Sequence, residues 1–212
     1  MFESIGSTAP GWITDLLDTL GAPGAGVAIA AENLFPPLPS EVILPLTGFA
    51  ASRGSMPLFS ALAWTTLGSV TGALALYGVG ASLGRERTVA LASKLPLVKI
   101  SDIEKTERWF RRHGTKAVFL GRMIPLFRSF ISIPAGIERM PIPVFLALTT
   151  LGSFIWNAIF VLAGYLLGDN WEEVTGYVDV YSKVVLAATA LVVAAFVMVR
   201  VSGRGSGARH RG

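Results

Sequence analysis

Apolar positions in this chain come in long uninterrupted runs, separated by short islands of charge. No charged residue lies between Arg53 and Arg85, between Arg139 and Asp169, or between Lys183 and Arg200. A helix needs about 20 mostly apolar residues to cross a bilayer. The first two runs exceed that length, and the third reaches it if Lys183 extends its ammonium to the interface. The pattern predicts spanning helices over about 57–84, 141–168 and 182–200. Two further apolar stretches do not read as plain spans. Residues 19–52 contain Glu32 and Glu41 with prolines at 23, 36, 37, 39 and 45, and residues 117–137 contain Arg122 and Arg128 with prolines at 125 and 134. A proline inside a helix removes a hydrogen bond and clashes with the preceding turn.

Sidedness follows from where the charges fall. The chain has no Lys or Arg before Arg53, a basic stretch over 85–116, an acidic loop from Asp169 to Lys183, and a tail with Arg200, Arg204, Arg209 and Arg211. The positive-inside rule places 85–116 and the tail in the cytoplasm, and the acidic loop then falls outside. Under that topology 19–52 and 117–137 each start and end on one side, so both read as re-entrant helical hairpins. Such backbone is tolerated at membrane depth only when packed in protein or lining a wet cavity.

The two halves echo each other. Pro36, Ser40 and Pro45 match Pro125, Ser129 and Pro134 at an offset of 89, and Tyr77 and Gly80 match Tyr165 and Gly168 at an offset of 88. Leu67-Gly68-Ser69 resembles Leu151-Gly152-Ser153, with the spacing slipped by about one helical turn. The expected architecture is an all-α integral membrane protein: an inverted repeat of re-entrant hairpin plus transmembrane helix. A C-terminal transmembrane helix completes one domain over 1–200, followed by a disordered basic tail over 201–212.

Composition sharpens this. The chain is 52% hydrophobic and 15% charged, against about 25% charged residues in soluble domains. With no cysteine, disulfide frameworks, zinc-thiolate sites and thiol catalysis are excluded. The N-terminus lacks the basic region of a signal peptide and is read as mature sequence. The pI near 9.7 reflects cytoplasmic loop charge and not a nucleic-acid partner. Residues 85–116 read as interfacial helices, with Glu104–Arg108 and Glu107–Arg111 at i,i+4 spacing. Trp64, Trp156 and Trp171 read as interface anchors, the glycines from Gly68 to Gly84 as close helix packing, and His113 as solvated.

The candidate chemistry lies in the four charges within apolar hairpins. Each costs roughly 2.5–3.5 kcal/mol at the centre of a membrane helix, and buried pairs stabilise less well than apolar packing. Their retention points to a polar substrate or a proton, although ion pairs that merely lock the hairpins together are the plain alternative. Arginine's planar fork suits phosphate. Arg122 and Arg128 flank Pro125 and are followed by Ser129 and Ser132, while Pro39-Ser40-Glu41 looks like the start of an opposing half-helix capped by Ser40. Half-helix N-termini favour anions. Arg122, Arg128, Glu41, Glu32, Ser40 and Ser129 are therefore the candidate transport residues, for an anionic head group with a proton as candidate coupling ion. Paired histidines, an aspartate-rich motif and an HExxH string are all missing, so neither an enzyme nor a bound cofactor or metal is expected.

Glu32 to Gly48, Gly68 to Arg85, Phe119 to Met140, Gly152 to Asn157 and Gly164 to Trp171 together resemble the DedA family, whose eukaryotic relatives carry the same SNARE-associated or VTT domain. The resemblance implies lipid transport in the bacterial plasma membrane. It makes undecaprenyl phosphate the expected substrate, links transport to the proton-motive force, and maps the family's acids onto Glu32 and Glu41 and its arginines onto Arg122 and Arg128. A non-selective phospholipid scramblase and a non-transporting membrane scaffold stay open as alternatives, as does the oligomeric state.

Overall fold

The computed structural model describes residues 11–34, 40–92, 100–124, 127–167 and 198. Among them the chain is all-helical: α1 (Gly11–Leu20), α2 (Ala22–Leu34), α3 (Ser40–Ser52), α4 (Leu58–Ala92), α5 (Ile100–Gly121), α6 (Phe127–Phe130), α7 (Ser132–Ile137) and α8 (Ile142–Leu166). The expected span over 182–200, the acidic loop, the basic tail, Trp171 and prolines 36, 37, 39 and 125 lie outside the described residues.

Two helices are long and apolar enough to cross a membrane, Leu58–Thr88 and Ile142–Leu166. Their outward faces carry Leu67, Leu74 and Val79 on α4 and Leu151, Phe154 and Ile159 on α8, all exposed. So broad an apolar surface suits hydrocarbon and not water. α4 bends at Gly84, whose φ of 63° is a left-handed conformation that costs glycine little. The bend separates the apolar run from the basic residues that follow.

Two buried clusters divide the interior. One joins Ile13, Ile29, Leu44 and Ala61 to Trp156 and Val161; the other joins Ala73 and Tyr77 to Phe110, Val118, Ala135 and Phe145. The beginning of α4 thus meets the end of α8, and the reverse, so the two long helices run antiparallel. Trp156 is buried against Phe160, with ring centroids 4.8 Å apart. It is core and not the interface anchor the sequence suggested, because it points inward at the level where both clusters approach. Trp64 is partly exposed.

The short helices grip the long ones through glycines. A methyl on Gly48 of α3 would strike the Val161 carbonyl of α8, and one on Gly164 of α8 would strike the Pro45 carbonyl. Likewise a methyl on Gly80 of α4 would strike the Ile133 carbonyl, and one on Gly136 of α7 would strike the Tyr77 carbonyl. Each crossing is reciprocal: on each helix the glycine stands three residues after the carbonyl that receives the partner's glycine. In these crossings Tyr77 and Gly80 stand on α4 as Val161 and Gly164 stand on α8, an offset of 84; Gly168, of the expected offset of 88, lies outside the described residues. The offset of 84 is that of Gly68 and Gly152. Forcing a methyl into such a contact should cost about 1–3 kcal/mol. Gly80→Ala is accordingly expected to lower the thermal unfolding midpoint of the detergent-solubilised protein. An unchanged midpoint would contradict the crossing.

Proline does less breaking here than its chemistry suggests. Pro45 sits inside α3, and its carbonyl serves the crossing with Gly164. Pro23 and Pro134 fall in the first turns of α2 and α7, where a missing N–H leaves no helical bond unmade. The polar stretch 85–116 is helical where it is described, in the end of α4 and in α5. α5 is one 22-residue helix that continues from that stretch to Gly121 in the apolar segment. Arg111 faces Glu138 in the turn after α7, at 3.4 Å; the Glu104 and Glu107 side chains, which helical spacing pairs with Arg108 and Arg111, lie outside the described residues.

A buried charge cluster as the candidate functional site

The last turn of α2 supplies Glu32 and Asn33, the turn after α5 supplies Arg122, and α6 and α7 supply Arg128, Ser129 and Ser132. Arg128 donates to the Glu32 carboxylate, and the two are each 5% exposed. One residue further along both segments, Ser129 donates to Asn33 Oδ1 at 3.3 Å. Two consecutive residues of α2 thus meet two consecutive residues of α6. Asn33 is held in turn by its own donation to the Ile29 carbonyl at 3.0 Å, and Gly72 of α4 leaves room for its Cβ, 2.6 Å from where a methyl would stand.

Arg122 is held differently. It is 2% exposed and donates from Nη2 to Ser132 Oγ at 2.9 Å. Its Nε has no partner. No carboxylate among the described residues pairs with it. Gly152 of α8 makes the approach of its stem feasible, because a methyl there would lie 2.9 Å from the Arg122 Cβ. Gly152→Ala should therefore displace the guanidinium and lower the thermal unfolding midpoint, by less than loss of the Arg128 ion pair does. Thermal unfolding of the purified variant would check this, and an unchanged midpoint would contradict the close approach of Gly152 to Arg122.

All four expected charges come together, since Glu32 lies within the electrostatic reach of Arg128, Glu41 and Arg122. Their pairing is uneven. Glu41 is half-buried in the first turn of α3 and bonds to neither arginine. Ser40 does not cap α3. Its buried Oγ has no hydrogen-bond partner, whereas a capping side chain accepts from a backbone N–H of the first turn. Nor can α6 focus a helix dipole on an anion, being four residues long, too short for peptide dipoles to add. The phosphate-type donors here are side chains.

Sequence reasoning passed over Asn33, Ser69 and Asn157. The last two join the long helices at their middle, with Asn157 Nδ2 donating to Ser69 Oγ at 3.2 Å and Asn157 Oδ1 left without a partner. The available signal was an amide in an otherwise apolar run, a weaker mark than a charge. Among the described residues no group of three or more His, Asp or Glu could hold a metal.

Residues 38–166 match the VTT domain. The chain is 42% identical to the "alkaline phosphatase-like protein" of Lactococcus lactis subsp. lactis (strain IL1403), over 91% of this chain and 92% of that one. It is 32% identical to undecaprenyl phosphate transporter A of Bacillus subtilis (strain 168), over 89% and 91%. With undecaprenyl phosphate transporter A of Staphylococcus aureus (strain NCTC 8325 / PS 47) it shares 28% identity over 91% and 96%. No solved structure matches it significantly. The VTT match takes in both buried arginines, Glu41 and both long apolar helices, and the chain belongs to the DedA family of membrane proteins.

Proposed function

We propose that this protein carries an anionic lipid phosphate, undecaprenyl phosphate first, across the bacterial plasma membrane, with Arg122 as the residue that takes the phosphate. The observation that supports this is the buried Arg122, which donates to a serine hydroxyl and bonds to no carboxylate among the described residues. An arginine kept from water and left without a bonded carboxylate is costly unless an anion completes it. Its planar fork can meet two phosphate oxygens at once. The unpartnered Oγ of Ser40 and the half-buried Glu41 complete the proposed site. Glu32 holds Arg128, and protonation of Glu32 is the proposed route by which a proton could release that arginine. The relatives named as undecaprenyl phosphate transporters suggest the lipid.

In this reading α2–α3 and α5–α7 are re-entrant hairpins of opposite entry. The reciprocal glycine crossings support that arrangement, and the basic stretch 85–116 with the tail faces the cytoplasm. The protein is not a phosphatase. Although two relatives carry the name alkaline phosphatase-like protein, the cluster offers, among the described residues, no nucleophile hydrogen-bonded to a general base. The test is flipping of undecaprenyl phosphate, with phosphatidylcholine as comparison, in liposomes holding the purified protein, assayed alongside hydrolysis of a phosphomonoester. Selective movement of undecaprenyl phosphate without hydrolysis is expected. Equal movement of both lipids would instead give a scramblase. Movement of neither would favour a scaffold, the reading that the buried Glu32–Arg128 pair taken alone supports.

Topology has its own test, because the chain has no cysteine. A cysteine placed at Arg112 is expected to react with a membrane-impermeant maleimide only from the cytoplasmic side. Reaction only from outside would invert the proposed orientation.

A further inference from the structure

Outside the buried cluster, one face of α5 carries Trp109, His113, Lys116 and Leu120 at helical spacing, a stripe that continues to Ile124. From Trp109 to Leu120 it runs about 16 Å along the axis. A groove of about 670 Å³ lies on this face, walled on its other side by Phe127, Phe130 and Ile131. The volume is that of an ordinary small-molecule site. A second cavity, of about 260 Å³, adjoins it and is lined by Arg108, Trp109, Arg112 and His113. Trp109 and His113 line both, with their rings 5.5 Å apart. One end of this continuous surface is therefore cationic and the other is apolar.

We infer that this face of α5 is a docking site for a lipid with an anionic phosphate head and a long apolar tail. The head sits among Arg112, His113 and Lys116, and the tail lies along Leu120, Ile124 and Phe127. Charge complementarity identifies the occupant. Arg112 and Lys116 are exposed at the end where Trp109 marks an interface, and basic side chains at a membrane surface select anionic lipids. The apolar walls make a poor water-facing surface, with Phe127 62% exposed and Leu120 56% exposed. The far end of the groove includes Gly121 and Ile131, the chain neighbours of Arg122 and Ser132. The dock thus lies beside the buried cluster without sharing a residue with it, and it stands whether or not the protein transports.

The experiment places the full chain in phosphatidylcholine liposomes containing a trace of lipid with a diazirine in its acyl chain. The head group is either phosphatidylglycerol or phosphatidylcholine, and adducts are located by peptide mass spectrometry. Adducts are expected at Leu120, Ile124, Phe127 and Phe130, with phosphatidylglycerol favoured on the order of tenfold. Arg112→Gln with Lys116→Gln, both exposed changes, should reduce the phosphatidylglycerol yield to that of phosphatidylcholine and leave the latter unchanged. Equal yields in the unaltered protein, or selectivity that survives the double change, would reduce the groove to ordinary bilayer contact and overturn the proposal. So would a lack of adducts there together with a cross-link from Leu120→Cys to residues 182–200, which would assign the groove to the chain's own segment.

Discussion

Replacing Arg122 with lysine is expected to weaken binding of a lipid phosphate by about ten- to a hundredfold, the equivalent of one lost charge-assisted hydrogen bond of roughly 1.5–3 kcal/mol. Lysine keeps the charge and most of the stem beside Gly152 but loses the planar fork. Glutamine at the same position should abolish transport, since no charge remains to meet the phosphate. Both variants should stay folded, because among the described residues Arg122 has no bonded carboxylate to leave behind and its guanidinium donates only to Ser132. Titration of undecaprenyl phosphate onto purified variants matched in thermal stability is the measurement. Affinity unchanged in both would remove Arg122 from the site and with it the central support of the transport reading.

Arg128 should behave in the opposite way. Its loss leaves the Glu32 carboxylate buried and unpaired, a change that typically costs about 3–5 kcal/mol. Arg128→Met is expected to unfold at markedly lower temperature, and Glu32→Gln to share part of the penalty by leaving the guanidinium unpaired. Combining Glu32→Gln with Arg128→Met should recover most of the stability but no transport. Such a cycle isolates the pair, because each residue is the other's principal partner. If the double variant is as unstable as the sum of the singles, the two side chains do not interact. If the double variant is both stable and active, the pair plays no part in transport.

What the sequence revealed about this site follows the energetic cost of each feature. A charge in an apolar run is expensive enough to stand out, and Glu32, Arg122 and Arg128 were all conspicuous. Which acid holds which arginine was not legible, since Glu32 and Arg128 are far apart in the chain and meet only through packing. Asn33 and Asn157 were missed for the converse reason. An uncharged amide costs far less than a charge and so stands out less, and although Ser129 was a candidate, nothing in the sequence tied it to Asn33 or Ser69 to Asn157. The glycines marked close packing, but not which backbone they admit. The extent of α5 was hidden because its sequence passes from polar to apolar partway along, and a change of environment was read as a change of element.

The reciprocal crossings have a bearing on how the protein is made. α3 is gripped by α8, and α7 by α4, so each long helix completes its contacts only with the other half of the chain. Val161 follows Gly48 by more than a hundred residues. At a synthesis rate of about 5–20 residues per second, that separation is a delay on the order of 5–20 s. Throughout it the Gly48 face is uncovered, and until Arg128 is made Glu32 is also without its partner. A ribosome stalled before Arg128 would leave a fragment with an open glycine notch and an unmatched acid in the membrane, a form that a membrane protease could distinguish from the finished protein.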